Sequence, residues 1–196
     1  MVDGLNIMRG EYELVKSLTT LFEDANSLLI ANDQHLIQCH ASERSICASL
    51  LLHLRDVMNS DNAFAGYYVD AEYNRRSSKL QVQYKTIKGP RNEIIRITCD
   101  LIVHGRGAKQ ENDNLIAIEM KKSDRSKRSK DRDRDRLKAL TSLADIRVID
   151  GVEGSATVSE YVLGIYYELN LSRRSALIEY YHKGEKIHSQ CVSLVV

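Results

Sequence analysis

Apolar residues recur at helical spacing from Glu11 to Ile30, where Leu14, Leu18, Leu21, Phe22, Ala25, Leu28 and Leu29 fall on one face. Ser42 to Met58 repeats the pattern through Cys47, Leu50, Leu54 and Val57, with Ser42 placed to cap the helix N-terminus. From Tyr67 the period becomes two. Val69, Ala71 and Tyr73 alternate with Asp70, Glu72 and Asn74, which predicts a strand. Leu80 to Ile87 predicts a second strand, joined through Arg75-Arg76-Ser77-Ser78, and Gly89-Pro90 breaks the chain after it. Ile94 to His104 and Leu115 to Lys121 predict two more strands. Asp131 to Leu143 reads as a helix whose apolar stripe is Leu137, Leu140 and Ala144. Asp150 to Ser159 holds two glycines and reads as a loop. Tyr161 to Leu169 and Ser175 to Tyr181 are strong strands, and Lys183-Gly184 turns into a last one. There is no internal repeat and no linker. The order of helix, helix, strands, helix, strands predicts one α/β (or α+β) domain around a mixed sheet.

Composition narrows this little. With 196 residues, 43% hydrophobic and 28% charged, the chain can bury a sizeable core and reads as soluble and globular. No apolar run approaches the roughly 20 residues that span a bilayer. The N-terminus lacks the basic-then-apolar order of a signal peptide. A cytoplasmic protein with its four cysteines reduced is the expectation. Cys39, His40 and Cys47 match no common zinc spacing. Charge changes the picture more. Lys121 to Lys138 holds ten Lys/Arg against four Asp, a net of +6, which leaves the rest of the chain at −5 for an overall +1. One basic stretch on an acidic body predicts a phosphate-facing surface.

The candidate chemistry sits on the strands before that stretch. Asp100 lies among Ile97, Leu101 and Val103, and Glu119 and Lys121 end the run Leu115-Ile116-Ala117-Ile118. A buried charge costs several kcal/mol unless it is paired or bound to a metal. Ile95, Ile97, Cys99, Leu101 and Val103 share one face of the first strand. Ile116, Ile118 and Met120 share one face of the second. If both apolar faces cover one core, odd residues must oppose even ones, and the loop length favours Leu101 opposite Ile118, with Cys99 opposite Met120, Asp100 opposite Glu119 and Thr98 opposite Lys121, while a shift by two moves the pair diagonally and keeps the faces. Asp100, Glu119 and Lys121 then project from the other face together. Facing carboxylates repel unless a cation lies between them. Mg²⁺ takes oxygen ligands, with one or two carboxylates completed by water and phosphate. A lysine beside them can handle a water and stabilise developing negative charge. The competing reading is a surface salt bridge on a half-exposed sheet.

Asp100 followed by Glu119-Met120-Lys121 resembles the PD-(D/E)XK, restriction-endonuclease-like nuclease superfamily. The resemblance is closer to a group of small bacterial members, carried by Glu43-Arg44 in "SERSIC", "VDAEYNR" at 69–75, "DLIVHGRG" at 100–107, "NLIAIEMKK" at 114–122 and "DRDRLKALTS" at 133–142. Cys99 stands where the superfamily has a proline before the aspartate. The resemblance implies a core of helix, three strands, helix and strand over 42–169, after an N-terminal helical extension at 1–40 and before C-terminal strands at 170–196. It implies a Mg²⁺-dependent phosphodiesterase, with Mn²⁺ as a substitute and DNA favoured over RNA. Asp100, Glu119, Lys121 and Glu43 would be catalytic, and Asp100, Glu119, the Met120 carbonyl and Glu72 would hold the metal.

Other residues admit two readings. Glu43 stands four before Cys47 and seven before Leu50, on an apolar helix face, as a first-turn acid or a metal neighbour. Glu72 completes the acidic cluster, holds Arg75, or is solvated strand polarity. His104 contacts phosphate or caps the site. Arg125, Lys127, Arg128, Lys130 and Arg132 lie directly after Lys121, as nucleic-acid backbone contacts or as a solvated charged helix. Ser123, Ser126 and Ser129 predict that this segment's first part is flexible without substrate. Without a recognition domain, a second copy or a protein partner would supply specificity. A nuclease fold that binds or regulates without turnover is the reading from another class, and an acid-lined sheet for a small phosphorylated ligand lacks a glycine-rich phosphate loop.

Overall fold

Leucines spaced three and four apart give the first helix, α1 (Val2–Asn32), one apolar stripe, and Leu18, Leu21, Phe22, Ala25 and Leu29 are buried on it. The helix begins well before Glu11. A short α2 (Gln34–Gln38), not foreseen from the pattern, leads to α3 (Glu43–Asn59). Ser42 caps α3: its hydroxyl accepts from the Ser45 N–H at 3.1 Å. These elements belong to a computed structural model that describes residues 2–71, 75–77, 82–84, 86–88, 94–96, 99–109, 111–142 and 160–195. Glu72, the Gly89-Pro90 break, Thr98 and the loop expected at 150–159 lie outside the described residues.

The strands follow in order. β1 (Tyr68–Ala71) precedes two short hairpins, β2 (Arg75–Ser77) with β3 (Val82–Tyr84) and β4 (Thr86–Lys88) with β5 (Ile94–Arg96). Arg75 to Ser77, expected as a connector, is therefore strand, and the strand expected over Leu80 to Ile87 is divided between β3 and β4. Then come β6 (Leu101–His104), β7 (Asn114–Lys122), α4 (Lys127–Thr141), β8 (Leu163–Asn170), β9 (Ser175–His182) and β10 (Glu185–Ser193). The strand expected over Ile94 to His104 is two elements: β5 pairs locally and only β6 enters the main sheet.

That sheet is six-stranded, in the order β1-β6-β7-β8-β9-β10, and mixed. β7 and β8 are parallel and the other neighbours antiparallel. Parallel neighbours need a long crossover, and α4 provides it across the opposite face from α1 and α3. Leu101, Val103, Ile116, Ile118, Met120, Ile165, Tyr167, Ile178 and Tyr180 cover the α1–α3 side. Ile102, Ala117, Tyr166 and Tyr181 cover the side of Leu137 and Leu140. Helices on both faces explain why β7 and β8 are nearly continuous apolar runs.

Gly164 lets α4 approach the sheet. A Cβ there would lie 3.0 Å from Thr141 Cγ2, 3.3 Å from Tyr181 Cβ and 3.4 Å from Leu137 Cβ. Two further expectations are corrected. Helix α4 begins at Lys127, four residues before the expected Asp131, capped by the Ser126 hydroxyl, with Ser123 in the turn before it. Its last residue is Thr141, which leaves Leu143 and Ala144 outside the described part. Cys99 packs with Ile102 and Ala117 and does not share the face of Leu101, because the strand pairing that enforces alternation stops at Leu101.

Candidate active site

The register of β6 on β7 sets Leu101 opposite Ile118, Ile102 opposite Ala117 and Val103 opposite Ile116. A bulge follows at His104, which pairs with Asn114. Ile116, Ile118 and Met120 face α1–α3, so the alternation of β7 turns Ala117, Glu119 and Lys121 toward α4. Asp100 precedes β6, and its Oδ2 accepts from the Met120 N–H at 2.7 Å. A side chain thus stands where the next rung of the ladder would have come, and it grips the residue between Glu119 and Lys121.

Helix α4 brings two residues that the sequence pattern did not single out. Arg136 Nη1 donates to Glu119 Oε1 at 2.6 Å, and its Nη2 reaches Asp133 Oδ1 at 3.3 Å. Lys121 Nζ lies 2.9 Å from Asp133 Oδ2, yet that buried oxygen has no hydrogen-bond donor in line. Glu119 and Asp133 are 2% and 5% exposed in their side chains, so neither charge is balanced by water. Asp133 was legible by the rule that picked out Glu43: it stands four before Leu137 and seven before Leu140.

Burial raises the Asp100 carboxyl above its usual range. The Met120 N–H and Lys121 pull it back, and the charges of Asp133 and Glu43 add to the rise. Burial also drives Glu119 upward, opposed by Arg136 and reinforced by Asp100 and Asp133. Desolvation works against the Lys121 ammonium, but Asp133, Glu43 and Asp100 outweigh it and hold the proton more tightly than usual. Asp100, Glu43, Glu119 and Lys121 all act on the buried Cys47 thiol, whose Sγ is 3.4 Å from Met120 Sδ. One electrostatic neighbourhood therefore joins α3, the start of β6, the end of β7 and α4.

Glu43 has definite partners there. Its Oε1 accepts from the Lys122 N–H at 2.7 Å and from Arg125 Nε at 3.2 Å, while Lys122 Nζ donates to the His40 carbonyl at 3.1 Å. The start of α3 is thereby tied to the end of β7. His104 lies at the far end of β6 from Asp100, with Nε2 2.8 Å from Asp70 Oδ2. Arg106 takes both oxygens of the same Asp70, at 2.9 and 2.6 Å. Burial alone would raise the Asp70 carboxyl; the bonds from Arg106 and His104 outweigh it and lower it.

The basic segment divides by direction. Lys127, Arg128 and Arg132 are exposed and make no ion pair among the described residues. Arg125 is exposed but holds Glu43. Lys130 is half-buried, donating to the Ser123 carbonyl at 2.7 Å and to Glu168 Oε1 at 2.8 Å.

Among the described residues no three His, Cys, Asp or Glu side chains converge as a group able to hold a metal ion. The donors nevertheless suit one hard cation in kind. Asp100 and Glu119 are carboxylates flanking the Met120 backbone, a set of hard oxygen donors. Burial raises both Asp100 and Glu119 above their usual range, and the neighbouring carboxylates add to the rise. No helix of the described part is long and apolar enough to cross a membrane. No family model, curated protein or solved structure matches the chain.

Proposed function

We propose that this chain is a Mg²⁺-dependent nuclease of the PD-(D/E)XK type that hydrolyses phosphodiester bonds of nucleic acid, DNA in preference to RNA. The observation that carries the reading is Asp100 gripping the Met120 N–H, beside Glu119 and Lys121, at the end of a buried strand. With the two hairpins between β1 and β6 set aside, the order α3, β1, β6, β7, α4, β8, with β8 parallel to β7, supports it by following the order that the resemblance implies.

Asp100 and Glu119, with the Met120 carbonyl, would hold the ion, and Mn²⁺ would substitute. Bound there, it would neutralise phosphate charge and lower the pKa of a water. Lys121, kept charged by Asp133, would donate to the attacking water or to a phosphoryl oxygen. Asp133 would fix the direction of that ammonium. Lys127, Arg128 and Arg132, on the exposed start of α4, would meet backbone phosphates. A second copy or a protein partner would supply specificity.

One observation favours a nuclease fold that binds without cutting: Glu119 and Lys121 are already engaged by Arg136 and Asp133. Purified protein incubated with DNA and RNA substrates in Mg²⁺ or Mn²⁺ separates the two. Cleavage that disappears in Asp100→Asn and Lys121→Ala supports the enzyme. Binding without cleavage of any substrate supports the binding subunit. Cleavage that survives in both variants refutes the site.

A further inference from the structure

We propose that Arg136 is a built-in counter-cation that competes with a divalent ion for Glu119 and so sets how tightly the site takes that ion. This rests on the metal-dependent reading above. Glu119 is almost fully enclosed and holds a guanidinium from α4, 2.6 Å from Oε1. An unpaired carboxylate there would be costly, so the metal-free site keeps its own positive charge. A guanidinium held on the same carboxylate repels an incoming divalent ion and weakens the hold of Glu119 on it, even where the two cations take different oxygens.

The geometry gives Arg136 somewhere to go. Its second nitrogen is already 3.3 Å from Asp133 Oδ1, and 22% of the side chain is exposed, so it can release Glu119 without losing all compensation. Asp133 also holds Lys121, so the acid that receives Arg136 is the one that orients the ammonium. Entry of an ion at Glu119 therefore strengthens the demand on Asp133 from Arg136. The charge of the neighbourhood agrees. Asp100, Glu119, Asp133 and Glu43 outnumber Lys121 and Arg136 here, so a variant without Arg136 leaves more uncompensated negative charge for an ion to meet. Arginine suits this part, because guanidinium is weakly hydrated and forms planar pairs with carboxylates.

The test titrates Mn²⁺ alone into the protein by calorimetry, without substrate. Arg136→Gln should bind Mn²⁺ about tenfold to a hundredfold more tightly than wild type, since a competing charge is gone. Arg136→Lys should fall between them. The gain should vanish in Glu119→Gln/Arg136→Gln. Should Arg136→Gln fold poorly without metal, Mn²⁺ should raise its melting temperature more than that of wild type. Equal or weaker Mn²⁺ binding by Arg136→Gln, or no binding by any form, overturns the proposal. Cleavage measured in parallel keeps the two claims apart. Tighter Mn²⁺ binding without cleavage refutes the nuclease and leaves the competition standing. Cleavage by wild type with unchanged Mn²⁺ affinity in Arg136→Gln does the reverse.

Discussion

Gly164→Ala tests whether the close seating of α4 on the sheet maintains the site. The new methyl would stand 3.0 Å from Thr141 Cγ2 and 3.3 Å from Tyr181 Cβ, closer than carbon atoms normally approach. Thr141 cannot rotate away easily. Its hydroxyl donates to the Leu137 carbonyl at 2.9 Å and accepts from the Gly184 N–H at 3.2 Å, which fixes χ1. Leu137 Cβ, at 3.4 Å, blocks a shift along the helix. Overpacking of this kind costs about 1–3 kcal/mol. Alanine recovers about 0.4–1 kcal/mol by restricting the unfolded chain. The net loss is about 1–2 kcal/mol, which for a chain of this size lowers the melting temperature by roughly 3–6 °C. Thermal unfolding followed by circular dichroism measures it. Thr141→Ser removes the obstructing methyl and keeps the hydroxyl, so Gly164→Ala/Thr141→Ser should be more stable than the sum of the single changes predicts. On the proposed nuclease reading, displacement of α4, which carries Asp133 and Arg136, should also weaken Mg²⁺-dependent cleavage, and the double variant should restore it. An unchanged melting temperature in Gly164→Ala, or strict additivity in the double variant, would refute the account of how α4 is seated.

Replacing Lys127, Arg128 and Arg132 together with alanine should weaken duplex DNA binding and flatten the log–log salt slope by about 2–3, since each neutralised phosphate contributes roughly 0.9. An unchanged slope returns that face to plain solvation. Lys130→Ala should act differently, lowering thermal stability through the loss of one partner of Glu168, which keeps Tyr166 and Arg134, while leaving the salt slope nearly intact. Asp33 supplies a pH test. The Ser49 hydroxyl, with His53, holds its carboxyl below the ordinary value of 3.8 despite some desolvation. Its contribution to stability is therefore complete above the unfolded pKa and is lost as pH falls below about 3.8 through the lowered folded value. Asp33→Asn should lose less stability than wild type between pH 5 and pH 2.5, and a parallel acid limb would contradict the shift.

The sheet hairpin was legible because parity is a strong constraint. Two apolar faces on one core leave only odd-to-even pairings, and the loop length then picks Leu101 opposite Ile118. Ser42 was legible as a cap because few residues can accept from a free helix N–H. Cys99 was misassigned because alternation was carried past the last paired residue, where Asp100 replaces a ladder bond with its own carboxylate. The strand expected over Ile94 to His104 failed for a related reason. A continuous apolar run does not reveal which neighbour it pairs with, and β5 and β6 pair with different strands.

Helix α4 explains why the second half of the site was hidden. Its alternating Asp and Arg residues look alike by charge, and charge patterning alone assigns them all to solvent. Position on the helix separates them. Asp133 and Arg136 share the inward face with Leu137 and Leu140 and meet Lys121 and Glu119. Lys130 and Arg134 lie on the flank over β8 and β9, where Glu168 and Glu179 receive them and Arg134 covers the Tyr166 ring at 4.0 Å. Arg128 and Arg132 are left outward. A charge set four and seven residues from buried leucines must be paired, because desolvation there costs more than an exposed ion pair returns. Applied to this helix, that rule selects Asp133 without coordinates, and an acid so placed requires cations from the sheet below it. Lys121 was already among the candidates, and Arg136, three residues on, was the other cation within reach.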